Sequence, residues 1–228
     1  MNHRAIGVFS LLVAGCSGVD PTGVDVAGSR DTLLAARTAS YVVEQGESST
    51  LRAIELGPPF TSCADAQDRP YCAIETIDFS LAALRLADES IARRHLLDGH
   101  AFVLGKLVAG SHPSVGRLVV TNVFLRRSAA PAFEKRARDI EAPVVLRGSR
   151  ATCGTTGTCA WLQAEPLAGG MPTFHAELDG SFVGLERQKA EEKIARSGLV
   201  VSGGPVGTSF VLSATYEQVA SVSAARPF

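Results

Sequence analysis

The sequence predicts an α+β, β-rich fold: two related small β-units, each with one packed helix and one local disulfide. Three observations predict it. Runs of β-branched and aromatic residues come in couples joined by Pro- and Gly-containing turns. Four of the five cysteines fall as two close couples, Cys63 with Cys72 and Cys153 with Cys159. After each couple the chain repeats an order of elements: an apolar stretch, a helical segment, then two strands that share a turn. The expected units span residues 39–128 and 142–228, with a linker helix in 129–141.

The segment before the first unit reads as an address. Residues 1–4 carry one firm positive charge, Arg4, and 5–15 form an uncharged apolar run, the layout of a secretory signal. That run falls well short of the roughly 20 residues that span a bilayer. Val13-Ala14-Gly15-Cys16 resembles the lipobox of bacterial lipoproteins. The resemblance implies cleavage of 1–15, lipid on Cys16, and export to a bacterial membrane; Ser17 after the cysteine favours an outer membrane. Residues 16–38 then form the lipidated N-terminus and a flexible tether, since Gly18, Pro21, Gly23 and Gly28 break any helical or strand period.

In the first unit, Cys63 and Cys72 bracket a polar turn with Asp65, Gln67, Asp68 and Pro70. The stretch 72–78 matches 159–165 in outline. A helix follows over 80–97, with Leu81, Leu84, Ile91 and His95 near one face and Glu89 paired with Arg93. Strands at 102–105 and 118–124 flank a turn at 112–116. Pro131 suits the first turn of the linker helix, expected over 131–139. In the second unit Cys153 and Cys159 bracket Gly154 and Gly157. A helix over 186–196 stops at Gly198, and strands at 200–203 and 210–216 flank a turn at 204–207.

With Cys16 assigned to lipid, four cysteines allow three connectivities, and local pairing is chosen because each couple brackets a turn. Export to an oxidising compartment lets such bonds persist. Zinc is the rival, but eight and five intervening residues fit the usual C-x₂₋₄-C spacing poorly.

The body of the chain is similar to a family of uncharacterised secreted or lipid-anchored proteins from myxobacteria-like organisms. The similarity rests on Cys63-Ala64-Asp65, on residues 71–78, and on the helix and strand pair after them. It implies no activity.

The chemistry of the remaining residues points away from catalysis. Ser202-Gly203-Gly204-Pro205 resembles the nucleophile segment of chymotrypsin-like proteases, but Val200-Val201 stand where those enzymes have Gly-Asp. None of His95, His100, His112 and His175 has the context of their catalytic base. His95, Asp98, His100 and His112 form the densest group of metal-ligand types; a half-buried helical His95 and a turn at Asp98-Gly99 is the better reading. Asp88-Glu89 and Glu191-Glu192 are adjacent on helices, point apart, and read as solvated faces. Phosphate-loop and nucleophile-elbow motifs are absent from the sequence. Trp161, Phe174 and Tyr216 are expected in the core and not in a ligand groove.

The net charge of −1 becomes −2 once Arg4, the one charged residue of 1–15, is removed, so there is no basic footprint for nucleic acid. The expectation is a non-catalytic cell-envelope lipoprotein that binds or has a structural role at a membrane surface. No catalytic residue, metal or cofactor is expected. Its partners would be the membrane, through lipid on Cys16, and an envelope protein or glycan. The alternative is a hydrolase of envelope material.

Overall fold

The computed structural model describes residues 37–46, 49–112, 114–129, 141–149 and 160–219. The expectations for the signal segment, Cys16, the linker helix and the Cys153–Cys159 couple lie outside these residues.

The first half contains β1 (Ala39–Gln45), β2 (Leu51–Glu55), a small hairpin of β3 (Thr61–Ser62) and β4 (Asp68–Arg69), β5 (Cys72–Asp78), α1 (Leu86–Leu97), β6 (Ala101–Ala109) and β7 (Gly116–Ala129). Five of these strands form a closed circuit. β1 pairs antiparallel with β2 and β6, β2 with β5, and β6 with β7; the parallel β5–β7 pairing closes the ring. Closure removes the free edges that an open sheet exposes.

The second half contains β8 (Val144–Gly148), β9 (Leu162–Pro166), β10 (Thr173–His175), β11 (Glu177–Asp179), α2 (Arg187–Arg196), β12 (Leu199–Val206) and β13 (Ser209–Gln218). β9 pairs antiparallel with β8 and β10, β12 with β8 and β13, and β11 pairs parallel with β13. The third place in this ring is shared by β10 and β11. They bend at Ala176, whose N–H donates to the Thr208 carbonyl at 2.9 Å. An antiparallel β7–β13 seam joins the two rings into one sheet, of eleven strands among the described residues.

Period-2 alternation sorts side chains into three cores. Tyr41, Val43, Val103, Leu118 and Val120 fill the first ring, sealed by Ala92 and Leu96 of α1. Leu146, Leu162, Val201 and Leu212 fill the second, sealed by Ile194 of α2. The alternate residues Val42, Ile54, Phe102, Leu104 and Phe124 leave the first ring and pack on Ala214 and Tyr216 of β13. There Phe102 stacks on Phe124 with centroids 4.7 Å apart and meets the Tyr216 ring edge-on at 4.8 Å.

Both rings carry a bulge between their last two strands. Thr121 is the extra residue opposite Leu104/Gly105, and Ser213 the extra residue opposite Ser202/Gly203. A Cβ at Gly105 would overlap the Val119 carbonyl oxygen, and one at Gly203 the Val211 carbonyl oxygen. The close approach of backbone to backbone therefore demands glycine at both bulges.

The structure corrects several expectations. The helix over 80–97 is two elements: a 3₁₀ turn, Ser80–Ala82, ends at Ala83 with φ 50°, and α1 starts at Leu86. This break takes Leu81 and Leu84 off the helix; Leu81 and Ile91 are half-exposed, while Ala92 and Leu96 are buried. Gly204 and Pro205 belong to β12, and the turn falls at Gly207 and Thr208. Among the described residues β8 meets β12 at Leu199, Val200 and Val201, so Pro205 lies beyond that pairing, where a proline is tolerated. The stretches 72–78 and 160–165, within the described residues, occupy different places in their rings. β5 is third in its ring, whereas the second stretch leads into β9, which is second. The register places β11 opposite β13 as β5 lies opposite β7: Ile77 faces Leu118, and Leu178 faces Phe210.

Candidate functional site

Glu55 ends β2 opposite Tyr41 of β1, following the buried Ala53 and Ile54. Its side chain is 4% exposed. One carboxylate oxygen, Oε1, pairs with the Arg37 guanidinium, and Oε2 has no hydrogen-bond partner. Burying a carboxylate is tolerable only with such compensation, which the largely exposed Arg37 side chain supplies from the rim of the ring. Burial and then the neighbouring Glu55 charge push the Tyr41 hydroxyl far above its ordinary range, with Arg37 opposing.

Glu55 also closes the loop that follows. Its N–H donates to Thr61 Oγ1 at 2.9 Å, tying the two ends of residues 56–60 together. Gly57 turns this loop at φ 102°, and a Cβ there would lie 2.7 Å from the Ala142 Cβ. The loop is thus braced against the start of the second half. Its tip, Pro58-Pro59-Phe60, is exposed, Phe60 at 54%. Arg37, Pro58, Pro59, Phe60, Ser62 and Asp68 line an open cleft of about 380 Å³. The Cys63–Cys72 disulfide, with Cα atoms 5.5 Å apart, bridges the β3–β4 hairpin beside this cleft to β5. Chemically the cleft offers a ring, two prolines, one hydroxyl, one carboxylate and a guanidinium already neutralised.

A second surface lies on the outer face of the second ring. Phe174 of β10 faces Gln163 of β9, which faces Arg147 of β8. Phe174 is 55% exposed. Arg147 sits 3.7 Å from Glu165, which leaves the row nearly neutral. The expectation that Phe174 packs in the core is thus overturned, while Tyr216 is buried and Trp161 packs against the second core. The alternation of β10 puts His175 inside instead, edge-to-face on Phe210 with its Nε2 2.9 Å from Thr173 Oγ1. Burial lowers the pKa of His175.

No family model, curated protein or solved structure matches this chain.

The other sequence candidates are dispersed. Ser202 is fully buried at the bulge, its hydroxyl donating to the Tyr216 oxygen at 3.4 Å, so it cannot meet a substrate. His95 and His100 have ring centroids 6.4 Å apart, but His100 Nδ1 is engaged by Arg126, and Asp98 forms the C-cap of α1. His112 lies in the β6–β7 connection with its Nδ1 2.9 Å from Ser114 Oγ. Glu89 pairs with Arg93, Glu191 with Arg187 and Glu192 with Arg196, each one helical turn away. Among the described residues no three metal-ligating side chains converge.

Sequence reasoning missed Arg37, Glu55, Phe60 and Thr61. The available signal was Gly57-Pro58-Pro59-Phe60, a turn signature carrying an aromatic between two strands.

Proposed function

We propose that this chain is a non-catalytic envelope lipoprotein, cut before Cys16 and held on a membrane by lipid there, with two duplicated barrels that present binding surfaces. The duplication is supported by matched details in both rings. Asp78 accepts from the Ser80 N–H at 2.9 Å ahead of Ala83 at φ 50°; Asp179 accepts from the Ser181 N–H at 3.0 Å ahead of Gly184 at φ 64°. Ala92 and Leu96 stand 13 and 9 residues before Gly105, and Ala190 and Ile194 stand 13 and 9 residues before Gly203. The ring order is that of an OB barrel, a five-stranded Greek-key scaffold whose strand face and loops serve binding. Each copy has one local disulfide in this reading, Cys63–Cys72 and Cys153–Cys159.

The observation that carries the binding role is Phe174, an aromatic held on a strand with half its surface in water. Leaving such area exposed forgoes burial energy, and an exposed aromatic beside polar groups offers a stacking platform. The row Phe174–Gln163–Arg147, with Glu165 beside it, suits an envelope glycan or protein: a ring for stacking, an amide and charges of both signs for hydrogen bonds. Near-neutrality disfavours a polyanion. In-cell crosslinking followed by affinity capture from membranes through a C-terminal tag tests this. A stoichiometric partner that survives high salt and is lost in Phe174→Ala is expected. Capture of the chain alone, or a partner indifferent to Phe174→Ala, overturns the reading and returns weight to the hydrolase alternative.

A further inference from the structure

We propose that the loop of residues 56–60 is a membrane-contact element, with Phe60 seated in the headgroup region of the bilayer that holds the lipid on Cys16. The inference rests on the lipid-anchor reading above and adds the orientation of the folded part.

The argument starts from Glu55. Through its carboxylate it holds Arg37, and through its N–H it closes the loop that carries Pro58, Pro59 and Phe60. One buried residue therefore ties Arg37, just ahead of β1, to the exposed apolar tip beside it. Arg37 and Phe60 line the same cleft. Twenty residues separate Cys16 from Arg37. In the tether reading, a flexible chain of that length has an r.m.s. span of about 25 Å. Lipid on Cys16 thus keeps this end of the barrel close to the bilayer, at an effective concentration in the millimolar range for a short linker. Under such tethering an apolar insertion with a dissociation constant below the millimolar range is occupied most of the time.

The composition of the surface fits that occupant. Proline rings and a phenyl group suit the interface between headgroups and acyl chains, as in interfacial anchors generally. Prolines present no N–H that would be stranded there. The Arg37 charge is offset by Glu55, and the remaining cleft charge is the Asp68 carboxylate, so nothing in the cleft demands anionic lipid. The contact should be equal on zwitterionic and anionic bilayers and insensitive to salt.

The test uses the mature lipidated protein, residues 16–228, in phosphatidylcholine vesicles, with the single tryptophan moved. In a Trp161→Phe background, Phe60→Trp and Pro59→Trp report on the loop and Phe174→Trp on the second barrel. Emission from the two loop variants should shift to the blue and lose most of its intensity with brominated acyl chains, with no change for Phe174→Trp. Adding phosphatidylserine or 0.5 M salt (about a 4 Å screening length) should leave the quenching unchanged. Loop emission that bromolipid does not touch overturns the proposal, as does equal quenching at Phe174→Trp. So does loop emission that responds to an envelope partner but not to lipid. Mass analysis of Cys16 separates the two levels. A lipidated chain with an unquenched loop leaves anchoring intact and removes this proposal; a chain without lipid removes both.

Discussion

Phe102 offers the sharpest test of how the two rings are joined. It is buried at the β7–β13 seam, stacked on Phe124 and edge-on to Tyr216. Truncating a buried Phe to Ala costs about 3–5 kcal/mol. Each aromatic pair accounts for about 0.5–1.5 kcal/mol beyond area burial, so the two contacts make up about 1–3 kcal/mol of that. Phe102→Ala should therefore cost about 4 kcal/mol, and Phe102→Leu, which keeps most of the apolar volume, about 1–3 kcal/mol. Against the 5–15 kcal/mol that typically holds a domain, the first loss is large enough to uncouple the rings. Urea unfolding should be followed by far-ultraviolet circular dichroism and by the fluorescence of Trp161, the single tryptophan, which packs against the second core. The wild-type curves should coincide. In Phe102→Ala the two midpoints should part, because each barrel keeps its own interior while their shared wall is hollowed. A loss under about 1 kcal/mol, or superimposed curves at the full loss, would refute the seam as the coupling element.

Other consequences can be checked directly. Gly203→Ala and Gly105→Ala should each cost at least about 1–3 kcal/mol, since a methyl group collides with backbone at both bulges. Gly148→Ala, with open space around it, should stay within about 0.5 kcal/mol of wild type by thermal melting. Replacing Cys63 and Cys72 together by Ser should cost roughly 2.5–3 kcal/mol, and alkylation of the native, unreduced protein should label neither thiol. His175 has a folded pKa below its unfolded value, so the unfolded chain binds the proton first. Stability from its neutral form is complete above about pH 6.5 and falls as the pH drops through the folded pKa, a decline that His175→Gln should flatten in denaturant titrations. Hydrogen bonds from the Ser111 hydroxyl and then its N–H hold the Glu75 carboxyl below the usual glutamate range; Ser111→Ala should raise that pKa in an NMR titration.

The strands at the end of each half were legible because their β-branched and aromatic runs are local signals. The seam was not. Residues 125–129 of β7, Leu-Arg-Arg-Ser-Ala, look like a polar exit from a strand. They continue it only because β13 lies alongside, with Ser128 Oγ 2.6 Å from Thr215 Oγ1 and Arg127 on Glu217. The third strand of the second ring was hidden by its bend at Ala176, which leaves two three-residue pieces too short to show a period. Hydrophobicity also misplaced Phe174. The Thr173 hydroxyl satisfies His175, so the imidazole is accepted inside and the phenyl ring turns outward. Glu55 shows no local sign of its role, because its partner Arg37 lies 18 residues earlier.

The position of β13 as the last described strand has a consequence for synthesis. The first ring has all its strands once residue 129 has emerged, yet its flank of Val42, Ile54, Phe102 and Phe124 stays uncovered until β13 arrives about ninety residues later. At about 5–20 residues per second the half-made protein carries that greasy flank for roughly 5–20 seconds. A chain stopped near residue 130 would hold it permanently, and such a product should self-associate even though its own barrel is whole.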